Sequence, residues 1–265
     1  MKVFYNKTVI GYSHFKNNLV CQDYSDSYCD KKRIIITACD GHGGKLYIRS
    51  DRGSKFASIA AINVLKKITL KKLKNLEKIK LDILCEWNKL VENDLEENPI
   101  NIKDLQLFNE DEIFKLTNNP VLAYGTTLNA IMYYHDLYVC IQIGDGGVIV
   151  INNDGFSFVF DDDNVANYTY SLCSEEAYSH LNIKLYDEES IDGVIICSDG
   201  LLSPYQSINN LNTYFIQPTL KLLKDKGLNS GIKLNEYVEK LALKTGVGDD
   251  VSLAMIFEHN EFKKL

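Results

Sequence analysis

The chain has 265 residues, 45% hydrophobic and 11% aromatic, enough to bury a sizeable core and too apolar for a disordered segment. Its formal net charge of −7 argues against general binding to nucleic acid or to an anionic membrane and suits a protein that handles cations. Seven cysteines lie scattered without a CxxC pair, the first residues carry no apolar leader, and no run nears the ~18 apolar residues of a membrane helix. The expectation is a reduced, cytoplasmic protein folded as one domain over residues 1–265.

In chain order, "KVFYNKTVIGY", "SDSYC" and "RIIITAC" are β-branched and aromatic runs parted by Asn, Lys and Asp, which predicts strands. From about Ser50 to Glu97 the apolar period changes. Phe56, Ile59, Ala60, Val64 and Leu65, then Leu73, Leu76, Ile79, Ile83, Leu84 and Trp87, recur at helical spacing and predict two long antiparallel helices. The lysines of "KKITLKKLKNLEKIK" interleave with these positions and are expected on a solvated helix face. The next stretch, to Pro120, reads as a loop with one or two short helices.

From Ala123 to Phe160 strands return, broken at His135-Asp136, at Gly144–Gly147 and at Asn152–Gly155, a spacing that predicts hairpins in an antiparallel meander. "SEEAYSHL" predicts a short capped helix. "IKLYD" and "GVIIC" are strands, 206–226 and 231–245 are helices, and "VSLAMIFEH" closes the chain as a strand. Strands, a helix pair, strands, a helix pair and a strand define an α+β class with antiparallel sheets, not the strict βαβ alternation of a doubly wound fold.

One local pattern recurs. "RIIITAC" runs into "DGHGG", where three glycines clear side chains from around Asp40 and His42 and leave the backbone open to a ligand or ion. The same grammar, an apolar strand followed by Asp beside Gly, occurs at Asp145 ("IQIGDGG") and Asp199 ("VIICSDG"). Asp23 ("LVCQD") and Asp249-Asp250 ("GVGDD") come close to it. A single Asp-Gly after a strand is an ordinary turn. Several converging at one sheet edge would crowd carboxylates, whose mutual repulsion calls for a divalent cation. Oxygen ligands without a Cys or His pair favour Mg²⁺ or Mn²⁺.

"CDGHGG", "YGTTLNAI", "IGDGG", "ICSDGL" and "GDDVSLA", in this order from about Gly11 to Phe257, resemble the motifs of the type 2C, metal-dependent serine/threonine protein phosphatases. "GYSHFKNNLVCQD" and "NYTYSLCSEEA" resemble those of its bacterial-type branch. The resemblance implies two packed antiparallel β-sheets flanked by helix pairs, an α-β-β-α sandwich, around a two-ion Mg²⁺ or Mn²⁺ site. It implies that Asp40 bridges the ions, that the Gly41 carbonyl binds one, and that Asp199 and Asp249 complete the other. By the same likeness Asp23 holds metal-bound water, Asp145 serves a third, weaker ion, and His42 is the general acid. The implied substrate is a phosphoserine- or phosphothreonine-bearing protein, and the implied partner a kinase.

Three positions depart from the family pattern. An Arg that grips phosphate usually stands a few residues before the Asp23 position, here near Asn18; the chain's arginines are 33, 49 and 52, so the grip would fall to Lys16 or to the metals. Ser203 stands where an acid is common, and Asp250 where Asn is common. The first two departures motivate an alternative, a weak or inactive phosphatase-fold module that binds phosphoprotein or a regulator. A second rival, an aspartyl-phosphate phosphatase with Asp161 of "DDDNV" as nucleophile, leaves "DGHGG" and "GDGG" unexplained.

Overall fold

Strands buried on both faces carry the architecture. The computed structural model describes residues 2–101, 103–152, 155–160, 169–187, 189, 191–226 and 230–258. Its strands are β1 (Lys2–Val9), β2 (Tyr24–Cys29), β3 (Arg33–Cys39), β4 (Leu128–Tyr134), β5 (Leu137–Ile143), β6 (Gly147–Asn152), β7 (Gly155–Phe158), β8 (Asn182–Asp187), β9 (Gly193–Cys197) and β10 (Val251–Glu258). They form two sheets, ordered β1-β10-β9-β6-β7 and β2-β3-β4-β5-β8, with every neighbouring pair antiparallel.

Side chains two apart share a face, so each central strand divides its apolar residues between two cores. In β3, Ile34, Ile36 and Ala38 point between the sheets, while Ile35 and Cys39 join the core on the outer face. In β9, Val194 and Ile196 point between the sheets and Ile195 and Cys197 outward; in β10, Ala254 and Ile256 do the former, Leu253, Met255 and Phe257 the latter. This is why these segments read as unbroken apolar runs rather than clean alternations.

Helices close both outer faces. The second sheet is covered by α2 (Ser50–Leu65) and α3 (Leu76–Glu97), whose Ala57, Ala60, Ala61, Leu65, Ile79, Ile83 and Trp87 are buried in its outer core. The Trp87 indole donates to the Gly53 carbonyl at 3.2 Å, tying the two helices together. The first sheet is covered by α8 (Gln217–Lys226) and α9 (Ser230–Lys240), through Leu223, Leu234 and Val238. The expected α-β-β-α sandwich is therefore the fold.

Several details differ from the sequence reading. The lysine run does not lie on one helix face: α2 stops at Leu65 and α3 starts at Leu76, so most of the run is the exposed link between them, and Lys80 is buried beside Glu77. A five-residue helix, α1 (Tyr12–Lys16), interrupts the first strand region; it is too short to show a period. The stretch before Pro120 does hold a short helix as expected, α4 (Glu110–Asn118), opened by a capping box from Asn109 to Glu112. The short helix α5 (Ala177–His180) has no side-chain cap.

The expected meander is also split. β4 and β5 are a hairpin, with His135 and Asp136 in the left-handed region at φ 49° and 60°, as a two-residue turn requires. After β5 the chain leaves the sheet, and β6 pairs with β7 and β9 in the other one. Gly144-Asp145-Gly146 is thus a crossover between layers. Asp161, the rival nucleophile, lies outside the described residues. No helix among the described residues is long and apolar enough to cross a membrane.

Candidate active site

Strand register gathers the acids. Tyr24 pairs with Cys39, which sets the preceding Asp23 and the following Asp40 at one end of the second sheet. Cys197 pairs with both Gly147 and Leu253, which sets Asp145, Asp199 and Asp249-Asp250 at one end of the first. The two ends meet at a 170 Å³ pocket lined by Asp40, Gly41, His42, Asp145, Asp199 and Asp249, with His14, Gln22, Gly43 and Asp250. Every proposed metal ligand therefore lines one cavity. Asp23 is buried behind it, 5% exposed.

Hydrogen bonds lock the backbone that presents these groups. The Asp40 carbonyl accepts from the Thr127 N–H and the Thr126 hydroxyl, both at 2.8 Å, and the Asp40 N–H donates to Thr127 Oγ1 at 3.0 Å. The His42 N–H donates to the Gly125 carbonyl at 3.1 Å, and the Gly41 N–H to the Gln22 carbonyl at 3.1 Å. "GTT" is therefore a clamp on the "DGH" loop, a role its sequence did not reveal. On the other side, α6 (Asp199–Leu202) begins at the acid itself. A side chain at Gly200 would place its Cβ 1.9 Å from the Asp250 carbonyl oxygen, and one at Gly11 2.2 Å from the Asp249 carbonyl carbon. Only glycine permits these two approaches.

Asp250 is the residue whose importance the sequence understated. It is 2% exposed and accepts from the Gly11 N–H at 2.7 Å and from the Gln22 N–H at 2.6 Å, with His14 Nδ1 at 2.9 Å. It fastens the segment from Gly11 to Gln22 to the start of β10, and it brings His14 to the pocket. Lys16 is exposed on α1 and does not line the cavity. The arginines are engaged elsewhere: Arg33 with Asp30 at 3.3 Å, Arg52 with Asp94 at 2.9 Å and Arg49 with Asp94 at 3.7 Å. Ser203 donates its N–H to the Asp199 carbonyl at 2.7 Å and lies outside the lining.

The electrostatics follow from this crowding. Burial, then the charges of Asp23 and Asp199, pushes the Asp40 carboxyl far above its usual range. Burial likewise raises Asp23, to about 8, against the help of Ser198 and with the repulsion of Asp250. Asp199 and Asp249 are raised by burial and by neighbouring acids, Asp145 among them. Burial pushes the His42 imidazole down, opposed by Asp145.

A divalent cation suits this set. Asp23 Oδ2 and Asp199 Oδ1 are buried without a hydrogen-bond partner, and the surrounding groups are hard oxygen donors. Among the described residues no three acidic, His or Cys side chains stand in finished ligand geometry. His42 Nε2 is also buried and unpartnered, its ring 4.9 Å from that of Tyr47.

The chain belongs to the protein phosphatase 2C family, whose model matches residues 10–239. No curated protein matches it by sequence. Among solved structures it resembles the catalytic domain of the serine/threonine phosphatase PstP in complex with two manganese ions, at 17% identity and TM-score 0.60 over 97% of each chain. It also resembles Stp1 of Staphylococcus aureus, at 17% identity and TM-score 0.62 over 97% of this chain and 95% of that one. PppA of Pseudomonas aeruginosa matches at 14% identity and TM-score 0.59 over 97% of both. At these identities the likeness is one of fold.

The raised carboxyls carry a linkage consequence. Their folded pKa values lie above the unfolded value of about 3.9, so the folded protein binds more protons and their contribution is fullest in acid. It is lost as pH rises through the folded values, which for Asp23 is near 8. In EDTA, the urea midpoint is expected to fall between pH 5 and pH 8.5. Mn²⁺ is expected to raise it most at the alkaline end, where the carboxylates are free to bind. An EDTA-treated protein that gains stability over this range would refute the assignment.

Proposed function

We propose that this chain is a Mg²⁺- or Mn²⁺-dependent phosphatase acting on phosphoserine and phosphothreonine in proteins, folded as a single catalytic domain. The observation that supports the reading most strongly is the convergence of Asp40, Asp145, Asp199 and Asp249 from both sheets on one cavity beside His42. Phosphate monoester hydrolysis is among the slowest uncatalysed reactions in water, so strong charge compensation is required. Divalent ions, when bound, supply a nucleophile at neutral pH and offset charge on the phosphoryl group.

The residues of the chain do the rest. Asp40, the Gly41 carbonyl, Asp199 and Asp249 would hold two ions, and Asp145 a third. Asp23, fixed behind Asp40, would orient the attacking water. His42 would protonate the departing serine or threonine oxygen; burial disfavours its charged form, and an arriving phosphate dianion restores it. With Nδ1 engaged by Asp250, His14 has Nε2 left for a phosphoryl oxygen, in place of an arginine. The free thiols, Cys29 and Cys85 exposed among them, are in keeping with a cytoplasmic setting. A kinase acting on the same substrates would be the natural counterpart.

The engagement of all three arginines away from the pocket favours one second reading, a fold that binds phosphoprotein and turns it over slowly or not at all. The same assay decides between them. With Mn²⁺, a phosphothreonine peptide is expected to be dephosphorylated, with activity abolished by EDTA and reduced at least about 100-fold in Asp199→Asn. Turnover that survives both treatments would refute the metal-dependent mechanism, and its absence from the wild-type protein would favour the binding module.

The acid role of His42 has its own readout. His42→Ala is expected to lower kcat about 100-fold on phosphothreonine, whose alkoxide is a poor leaving group, and far less on p-nitrophenyl phosphate. Equal losses on the two substrates would remove His42 from that role.

A further inference from the structure

On the other side of Asp145 from the acidic pocket lies a second cleft of 610 Å³, well over three times its volume. Asp145 belongs to the walls of both. The rest of the second cleft is different in character. Phe156 and Phe158 of β7, Phe160 just beyond it, Leu202 of α6 and Ile208 of α7 (Ile208–Leu211) supply its apolar surface. Phe158 is 36% exposed and Ile208 63%, so two large apolar side chains stand in water at the mouth of the cleft. Scattered single exposures of this kind are ordinary; a cluster around a cavity that opens on a reaction centre marks a binding surface.

Its polar groups are few. The Gln142 amide is already bonded to the Gly146 carbonyl, and Ser157 and Asp145 complete the set. No Lys or Arg lines it among the described residues. Lys184 reaches the Phe160 ring at 5.1 Å, but its ammonium donates to the Val159 carbonyl at 2.7 Å. A second phosphate or an acidic side chain would find no cation here and would meet Asp145. An apolar side chain would bury against four or five large hydrophobic neighbours.

Resting on the phosphatase reading, we propose that this cleft is a substrate subsite that takes an apolar side chain of the phosphoprotein, close in sequence to the phosphorylated residue. Asp145, the wall common to both cavities, favours that occupant. A substrate chain whose phosphate sits among Asp40, Asp199 and Asp249 passes Asp145, and an extended chain advances about 3.3 Å per residue, so a neighbour within a few positions reaches the aromatic walls. The protein thus selects phosphosites flanked by Leu, Ile or Phe and rejects those flanked by acids.

The test uses the full chain with Mn²⁺, p-nitrophenyl phosphate and a set of phosphothreonine peptides. Each position from three before to three after the phosphothreonine carries Leu, Ala or Asp in turn. Leu is expected to raise kcat/KM about tenfold or more over Ala at one or two positions on one side, with Asp below Ala there. Phe158→Ala and Ile208→Ala, both at exposed sites that leave the core intact, are expected to reduce the Leu-over-Ala ratio towards one. Activity on p-nitrophenyl phosphate with the same kcat/KM for every peptide would overturn the subsite alone; inactivity on all substrates would overturn the phosphatase reading and the subsite with it. A wild-type dimer that becomes monomeric in Ile208→Asp would assign the cleft to self-association and likewise overturn the proposal.

Discussion

Four carboxylates crowd around one small pocket, Asp23 buried, Asp40 and Asp199 half-buried and Asp249 at its exposed edge, and everything else in the fold answers to that crowding. Two unit charges 4 Å apart cost roughly 4 kcal/mol at an effective dielectric of 20, while a whole domain is stable by only about 5–15 kcal/mol. Asp23, Asp40, Asp199 and Asp249 cannot all be charged in one small volume unless something positive joins them. Without metal, bound protons relieve the crowding, the direction in which all four carboxyls are shifted. Ions that displace those protons would serve the chemistry. The site is thus built against local stability, and the surrounding framework must hold it.

That framework is strand register plus one clasp. Two doubly buried sheets fix where their strand ends lie, and the Thr126-Thr127 clamp fixes the Asp40 loop on them. Asp250 secures the remaining side. Its bonds to the Gly11 and Gln22 N–H groups and to His14, with the Ser13 N–H on the Gly248 carbonyl and Ser54 Oγ on the Gln22 carbonyl, hold the segment from Gly11 to Gln22 against the site. A carboxylate at this position does structural work beside the neighbouring Asp249, which is left to face the cavity.

The sequence carried much of this and concealed the rest for physical reasons. Alternate burial makes "RIIITAC", "GVIIC" and "VSLAMIF" unmistakable as strands, and Asp-Gly after such runs pointed to Asp40, Asp145 and Asp199. Local spacing cannot say which sheet a strand joins, so the crossover at Asp145 looked like a hairpin turn. Asp249 and Asp250 are adjacent and chemically alike, and only tertiary contacts separate a cavity-facing acid from a clasp. The short helix α1 and the lysine-rich link are set by packing rather than periodicity; "GYSH" pointed to His14 near the site, but not to its bond with Asp250. The apolar cleft beyond Asp145 draws on β5, β7, α6 and α7, and no local pattern announces such a meeting.

Anomalous diffraction at the manganese edge, from crystals grown with Mn²⁺, tests the pairing of ions with these acids. Two peaks are expected about 3.5–4 Å apart between Asp40, Asp199 and Asp249. Intact carboxylates in the same pocket with no peak among them would contradict it.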